Sequence, residues 1–411
     1  MRASSDSLKM QNKTYSIIFS HYGTIDGGEA CGFTRSFQLA SSLAKIGNKI
    51  YFLTLQKKGF QFPYKKEIRN GVNIYAFPEI LPYFLRKGGF GTISLFLKVI
   101  FVFLKKADIV HSDMGHRPNS GLICLLHRKI HKSKYFSEWW EHFGTGGIFD
   151  DLSLWKQQTI GRLDNILEVF FRVTADGCLP ISTKLYERAL ENQIPYKNLL
   201  ILNGGSDTSN ILYNNDSTTH KKKFNIPDNC FVIGYIGIND SEFKSNIKLF
   251  KAINEFNLES KKIVFVATGK VSDQLISEYQ LDKSQFIIFN WLPYNEFVEL
   301  ITSIDLFTLI QKNCLRNESR FPNKLGDYLA TGRPVLANRI GEVEIYAKKY
   351  PSAFYLIDNQ KEDLEESLLK AYDDWKNKKV DYQKIRKIAE NNSWVNRAKK
   401  LNKFYTKICN N

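Results

Sequence analysis

The residues best suited to chemistry lie between Arg320 and Pro334, in the run RFPNKLGDYLATGRP. Pro322 suits the start of a helix, and Gly332 with Pro334 suits its end. Amide groups in the first turn of a helix lack intrahelical partners and carry the positive end of its dipole, so they can hold phosphate oxygens. Arg320 and Lys324 add cationic donors beside Asn323, and Asp327, one turn further on, is placed to accept hydrogen bonds from sugar hydroxyls. The expected ligand chemistry is a diphosphate carrying a sugar. Taken alone, the same pattern also fits a capped helix with a solvated charged face.

Such a constellation needs a sheet behind it. Residues 15–20 (YSIIFS) form a short β-rich run, a Gly-rich turn follows, residues 34–46 are amphipathic, and residues 49–54 make a second strand, which together predict a βαβ unit. Further strands are expected at 109–111, 134–137, 177–181 and 199–202. A polar stretch at 214–229, with the basic run Lys221, Lys222 and Lys223, interrupts this alternation. A second series then begins, with strands expected at 231–236, 263–267, 286–289, 306–310 and 335–337. The fold class is α/β, with two Rossmann-like doubly wound domains, and such sheets bind ligands at the carboxyl ends of their strands. The domains are placed at 1–213 and 214–381, with 382–411 a basic C-terminal helix packing back toward the first.

The chain has 411 residues, 43% hydrophobic and 24% charged, which is globular usage and suits two domains. Its formal net charge of +16 favours anionic partners. Cys31, Cys124, Cys178, Cys230, Cys314 and Cys409 show no metal spacing and suit a reducing compartment. There is no D-x-D pair, no zinc-spaced histidine pair, and no recognisable nucleic-acid-binding motif, so neither a metal nor nucleic acid is expected. The first dozen residues lack the apolar core of a secretory signal, so a cytoplasmic location is expected. Between Ile93 and Lys106 the run ISLFLKVIFVFLKK is densely apolar yet too short to span a bilayer. It is expected either to lie in the interface of an anionic membrane, with its lysines reaching toward headgroups, or to pack on the sheet.

The stretch around Asp327 resembles the donor-site motif of family 4 glycosyltransferases, in which a carboxylate precedes a small-residue helix and then G-[KR]-P-[VI]. Asp327, Gly332, Arg333, Pro334 and Val335 fill those places, with Asp327 standing for the usual glutamate and Ser319 where the motif's first glutamate is expected. The opening HYGTIDGGEACGF is similar to the family's first strand and Gly-rich loop, with Gly27 and Gly28 approaching the ligand. ADIVHSD is similar to its D-[IV]-[IV]-H segment, and LLILNGGSD to its N-G-x-D junction, stretched here between Asn203 and Asp207. VIGYIGINDSEFKSNIKLF resembles the segment at the donor phosphates: Gly237 and Lys244 match, while Ile238 replaces the usual arginine. In FNWLP, Trp291 and Leu292 correspond to the loop at the nucleobase.

The resemblance implies a GT-B fold, two facing domains with a cleft between them, the first binding acceptor and the second the nucleotide-sugar. It implies transfer of a hexosyl-type unit from a nucleotide-diphosphate sugar to a saccharide or lipid-linked acceptor, with retention of configuration. No cofactor is implied beyond the nucleotide-sugar co-substrate. Lys244 would stabilise the leaving diphosphate. On the acceptor side the run EWWEHFGTGG offers His142, with His111 and His116 competing for the role. A role in cell-surface polysaccharide synthesis, peripheral at the inner face of the plasma membrane, follows from the basic aromatic segment. A sugar-nucleotide epimerase of the same fold and a non-catalytic glycosyltransferase-like binding protein are the alternatives.

Overall fold

The computed structural model describes residues 13–25, 34–82, 85–86, 89–213, 217–259, 261–279, 282, 284–358 and 363–410. Gly27 and Gly28 lie outside the described residues. The chain divides into two units: the described residues up to Gly204 together with Trp394 onward make the first, and Gly205 to Ser393 belong to the second. The first junction therefore falls before the expected 213–214. The second lies between two C-terminal helices, since Tyr382–Asn391 stays with the second unit while Trp394–Cys409 belongs to the first.

In the first unit, strands β1 (Ser16–Ser20), β2 (Lys49–Leu55), β3 (Lys65–Arg69), β4 (Val72–Phe77), β5 (Ile109–Ser112), β6 (Lys134–Trp139) and β7 (Gly177–Pro180) form one sheet in the order β3-β4-β2-β1-β5-β6-β7. All neighbours pair in parallel except β3 with β4. The parallel strands read as near-continuous apolar runs because both faces are covered. Helix α1 (Arg35–Lys45) covers one face together with the C-terminal helix, through Phe37, Leu39, Leu401 and Tyr405. Helices α2 (Ile93–Leu104), α3 (Ile123–His131) and α4 (Arg162–Val173) follow crossovers that run toward β7, so right-handedness puts all three on the other face. Residues 199–202 are not a strand; a single bridge joins Leu199 to Cys178.

In the second unit, β8 (Phe231–Ile238), β9 (Ile263–Gly269), β10 (Phe286–Phe289), β11 (Leu306–Leu309), β12 (Val335–Asn338) and β13 (Phe354–Ile357) form a wholly parallel sheet in the order β10-β9-β8-β11-β12-β13. Strand order reverses between β8 and β11, which pair directly, with Leu306 opposite Ile233. Ligands of such sheets sit at that reversal, beyond the carboxyl ends of the strands. Helices α5 (Asp240–Ser245) and α6 (Ile247–Leu258) follow β8, and α7 (Lys324–Ala330) lies between β11 and β12. The segments of greatest chemical interest in the sequence thus leave the two strands that flank the reversal.

A glycine fixes how closely α7 seats. A Cβ on Gly326 would stand 2.4 Å from the carbonyl oxygen of Gly205 and 3.3 Å from Cα of Ser206. The obstacle is backbone, so it cannot swing aside. Gly326→Ala gains about 1 kcal/mol in helix propensity, but overpacking costs more. A net loss of about 1–2 kcal/mol is expected, read as a lowered midpoint in thermal or urea unfolding; an unchanged midpoint would mean that α7 is not held against that segment.

Candidate functional site

Gly237 sits near the carboxyl end of β8 with φ +68, a conformation that L side chains rarely adopt. Its amide donates to Oγ1 of Thr268 at 3.1 Å. The Trp291 ring stands 3.7 Å from the position a Gly237 Cβ would take, and 44% of Trp291 is exposed. Gly237 and Trp291, distant in sequence, are therefore brought together, with Leu292 half-buried beside Trp291. Ile238 is buried in the apolar core of this unit, so the place of the expected arginine faces inward and holds no cation.

The cation supplied at β8 comes from α7 instead. Nζ of Lys324 lies over the Tyr235 ring, 4.1 Å from its centre. Burial is the largest influence on this ammonium and Arg320 works in the same direction, against Glu242, so that its pKa is held down to about 8. Arg320 is within electrostatic reach of both Lys324 and Tyr235, and its Nε is buried with no partner among the described residues. An unpaired buried donor on a guanidinium costs free energy unless something accepts from it. Lys244 stands exposed on α5, while Glu242 of the same helix closes a capping box with Asn239.

The start of α7 differs from expectation in one respect. The helix begins at Lys324, and the amides of Leu325 and Gly326 already donate to the carbonyls of Pro322 and Asn323, at 2.9 and 3.1 Å. Helix amides therefore offer fewer free donors than the sequence suggested. Asn323 is exposed.

Asp327 faces a second carboxylate that the sequence reading did not single out. Asp207 accepts from the Tyr294 hydroxyl at 2.7 Å, from the Asn210 side chain at 2.8 Å and from the Ser209 hydroxyl at 2.9 Å. Burial alone would raise its pKa, but these donors hold it below the usual value. Asp327 has no such set: burial first, then the Asp207 charge, push its carboxyl up to about 7. One carboxylate is fixed as an anion and the other is poised to titrate. The close seating of Gly326 on Gly205 and Ser206 is what brings the pair together.

In the first unit, strand order reverses between β1 and β5, and polar groups gather at their carboxyl ends. The Nδ1 of His21 pairs with Asp113, whose carboxylate also accepts from Ser36 and Ser120 at 2.9 and 3.0 Å. Buried Lys98 donates to the carbonyls of His21 and Asn119 at 2.7 and 3.0 Å. Burial lowers this ammonium to about 7 in spite of Asp113. Lys98 therefore points into the sheet and does not reach outward from α2. His21 and Asp113 were missed as site residues, although each directly follows a strand in the sequence.

The three competing histidines separate cleanly. His111 is committed at both ring nitrogens, to the Tyr405 hydroxyl at 2.5 Å and to Glu138 at 2.9 Å. His142 bonds the Thr145 carbonyl at 2.8 Å, and burial and Arg188 hold it below the usual imidazole range. His116 is fully buried against Phe143, with ring centres 4.2 Å apart, and neither of its nitrogens has a partner among the described residues. Burial, Arg117 and Arg172 keep it neutral, well below its usual range.

Glu138 is structural. It accepts from Arg35 at 2.8 Å, His111 at 2.9 Å and Trp140 at 2.8 Å, tying together α1, β5 and β6. Burial opposes its ionisation, but Arg35 and His111 prevail and hold it at about 2. A depressed carboxyl gives stability that is present above the ordinary glutamate value and is lost as pH falls from there through about 2. Glu138→Gln is expected to cost about 2 kcal/mol at neutral pH and to flatten the acid limb of an unfolding curve followed by near-ultraviolet circular dichroism. An acid limb identical to that of the parent would rule out this role.

No protein-family model matches the sequence, and no curated protein is similar to it in sequence. Solved structures are similar in fold. Sucrose-phosphate synthase from Thermosynechococcus elongatus superposes with a TM-score of 0.71 at 13% identity, over 96% of this chain and 98% of that one. WaaG, a glycosyltransferase involved in lipopolysaccharide biosynthesis, gives 0.66 at 14% identity over 95% and 99%. Anabaena HepE, solved in complex with UDP-glucose, gives 0.66 at 11% identity over 95% and 98%. The fold is thus that of GT-B glycosyltransferases: two α/β domains built on parallel sheets.

Proposed function

We propose that the chain is a glycosyltransferase that moves a hexosyl-type unit from a nucleotide-diphosphate sugar to a saccharide or lipid-linked acceptor. The observation that carries the reading is the half-buried pair Lys324 and Arg320 against Tyr235 at the strand-order reversal, on the same strand as Gly237, which Trp291 approaches. Breaking a sugar–phosphate bond leaves negative charge on the departing diphosphate, and preorganised cations in a dry site stabilise it. Gly237 admits the phosphates, Trp291 and Leu292 cover the base, and Asp327 accepts from hydroxyls of the donor. Lys244, exposed on α5, is assigned to the outer oxygens of the diphosphate, with Asn323 nearby in sequence to α7.

The fold is shared with HepE, whose complex holds UDP-glucose, and with WaaG, which acts in lipopolysaccharide biosynthesis. That company favours family 4 membership and a cell-surface glycan as the product, made at the cytoplasmic face of a membrane. Retention is part of the proposal, with a donor phosphate oxygen taking the acceptor proton. On the acceptor side His142 is the candidate, since His116 is fully buried and His111 is committed at both ring nitrogens. Turnover is expected to survive a chelator, since side-chain cations neutralise the diphosphate.

Calorimetric titration with UDP-, GDP- and ADP-sugars, followed by mass spectrometry of each donor mixed with membrane extract, tests this reading. A nucleotide-sugar that binds and is transferred supports it. Conversion of the donor to an isomer points to the epimerase, binding without turnover to a carbohydrate-binding protein, and no binding of any nucleotide-sugar sinks the proposal.

A further inference from the structure

We infer that the outer surface of α4 and of the helical turn before it is a seat for an anionic lipid bilayer. The inference rests on the reading of the acceptor as lipid-linked. The turn Leu154–Lys156, the wider turn Gln157–Gly161 and α4 follow one another without a break. Along them Leu154, Trp155, Leu163, Ile166, Phe170 and Val173 are exposed by between 46% and 75%. Within α4, positions 163, 166, 170 and 173 recur at helical spacing, so they form a single stripe facing away from the sheet. A soluble helix ordinarily turns such a stripe inward.

Charge identifies the occupant. The only acids of α4 are Asp164 and Glu168, and both turn inward to partners. One terminal nitrogen of Arg117 donates to both carboxylate oxygens of Asp164, at 2.8 Å to each. Glu168 is buried between Arg188 and the Trp139 ring nitrogen. Helices α2 and α3, on the same face of the sheet, contain no acid. What remains outward on these helices and their ends is mainly cationic, with Lys106, Lys129, Lys132, Lys156 and Arg162 exposed against Asp108 and Asp150. On α2 the exposed side is again apolar, through Phe96, Ile100, Phe103 and Leu104. Apolar stripes studded with lysine and arginine and flanked by an exposed tryptophan suit the boundary between acyl chains and anionic headgroups. A second copy of the chain is disfavoured there, because like charges would meet. Among the described residues no helix is long and apolar enough to cross a membrane, so the contact would be interfacial.

The test uses the full chain, sedimented with vesicles of phosphatidylcholine alone or mixed with phosphatidylglycerol. The parent is expected to bind the mixed vesicles and to be released by salt. The double variant Ile166→Glu, Phe170→Glu is expected to lose affinity roughly tenfold or more, and the milder Ile166→Ser, Phe170→Ser to lose a smaller part. Both retain the parent's unfolding midpoint and its calorimetric response to UDP and GDP. Phe96→Glu with Phe103→Glu extends the test to α2. Unchanged vesicle binding in the α4 variants overturns the inference, as does a parent that ignores both vesicles, or a parent dimer that the same variants split. Vesicle binding without any nucleotide binding would leave this surface standing and remove the glycosyltransferase reading instead.

Discussion

Lys324→Met is expected to lower transfer by roughly 10²–10³-fold, about 3–4 kcal/mol of transition-state stabilisation, while leaving the unfolding midpoint unchanged or higher. The position after Gly237 holds buried Ile238, so no side chain from that point of β8 can meet the charge that develops on the diphosphate. Lys324 sits half-buried over Tyr235 at 4.1 Å, within electrostatic reach of Arg320. Methionine keeps the length and removes the charge. Because burial already depresses this ammonium to about 8, its charged form costs stability at neutral pH, and removing it relieves that cost. The parent should also lose donor affinity as pH rises through about 8, where the ammonium gives up its proton. Nucleotide titrations between neutral and mildly alkaline pH read this limb, and the methionine variant should lack it. A variant that turns over like the parent would place the diphosphate elsewhere.

Most of the second unit was legible because its signals are local. Strands β8 to β12 announce themselves as short apolar runs, β13 (Phe354–Ile357) was not expected, and the helix after Pro322 carries its own stop at Gly332 and Pro334. The registers that were missed depend on turns or on context. Arg69-Asn70-Gly71-Val72 is a two-residue hairpin in which Asn70 and Gly71 have φ 52 and 76, the turn that lets β3 pair antiparallel with β4. The dipeptide was in plain view, but β3, KKEIR, is charged at every residue except Ile68 and does not read as core. The segment between Ile93 and Lys106 packs on the sheet, one of the two expected arrangements, but in an orientation its pattern did not announce. Its polar members Ser94 and Lys98 are buried with Leu97 and Val102, and its phenylalanines at 96 and 103 face out, so the amphipathic pattern is inverted. Such an inversion becomes readable only when a partner for the buried lysine is known, here the carbonyls of His21 and Asn119. Pairing of Asp207 with Asp327 was likewise invisible, since it depends on Gly326 letting two backbones meet.

That pair sets up the second large effect, in which stability and binding move in opposite directions. Asp327→Asn is expected to stabilise the protein by about 1–2 kcal/mol above neutral pH and to weaken nucleotide-sugar binding roughly 10–100-fold. The sign follows from linkage. The folded carboxyl titrates at about 7, raised by burial and by Asp207, whereas an unfolded aspartate titrates near its ordinary value. Between those two values the folded chain holds the extra proton, so stability falls as pH rises, and above about 7 the loss is complete. An amide has no such limb, so parent and variant stabilities should diverge with rising pH and then run parallel. Binding runs the other way: hydroxyls of the donor give their hydrogens to an ionised Asp327, so parent affinity should climb through about pH 7 while the variant's stays flat. A carboxyl kept at the expense of the fold, next to a second carboxylate that is already fully hydrogen-bonded, makes sense as a ligand contact. Were the amide to bind nucleotide-sugars as the parent does, with the same pH profile, Asp327 would belong to the packing of α7 and the sugar hydroxyls would need another acceptor.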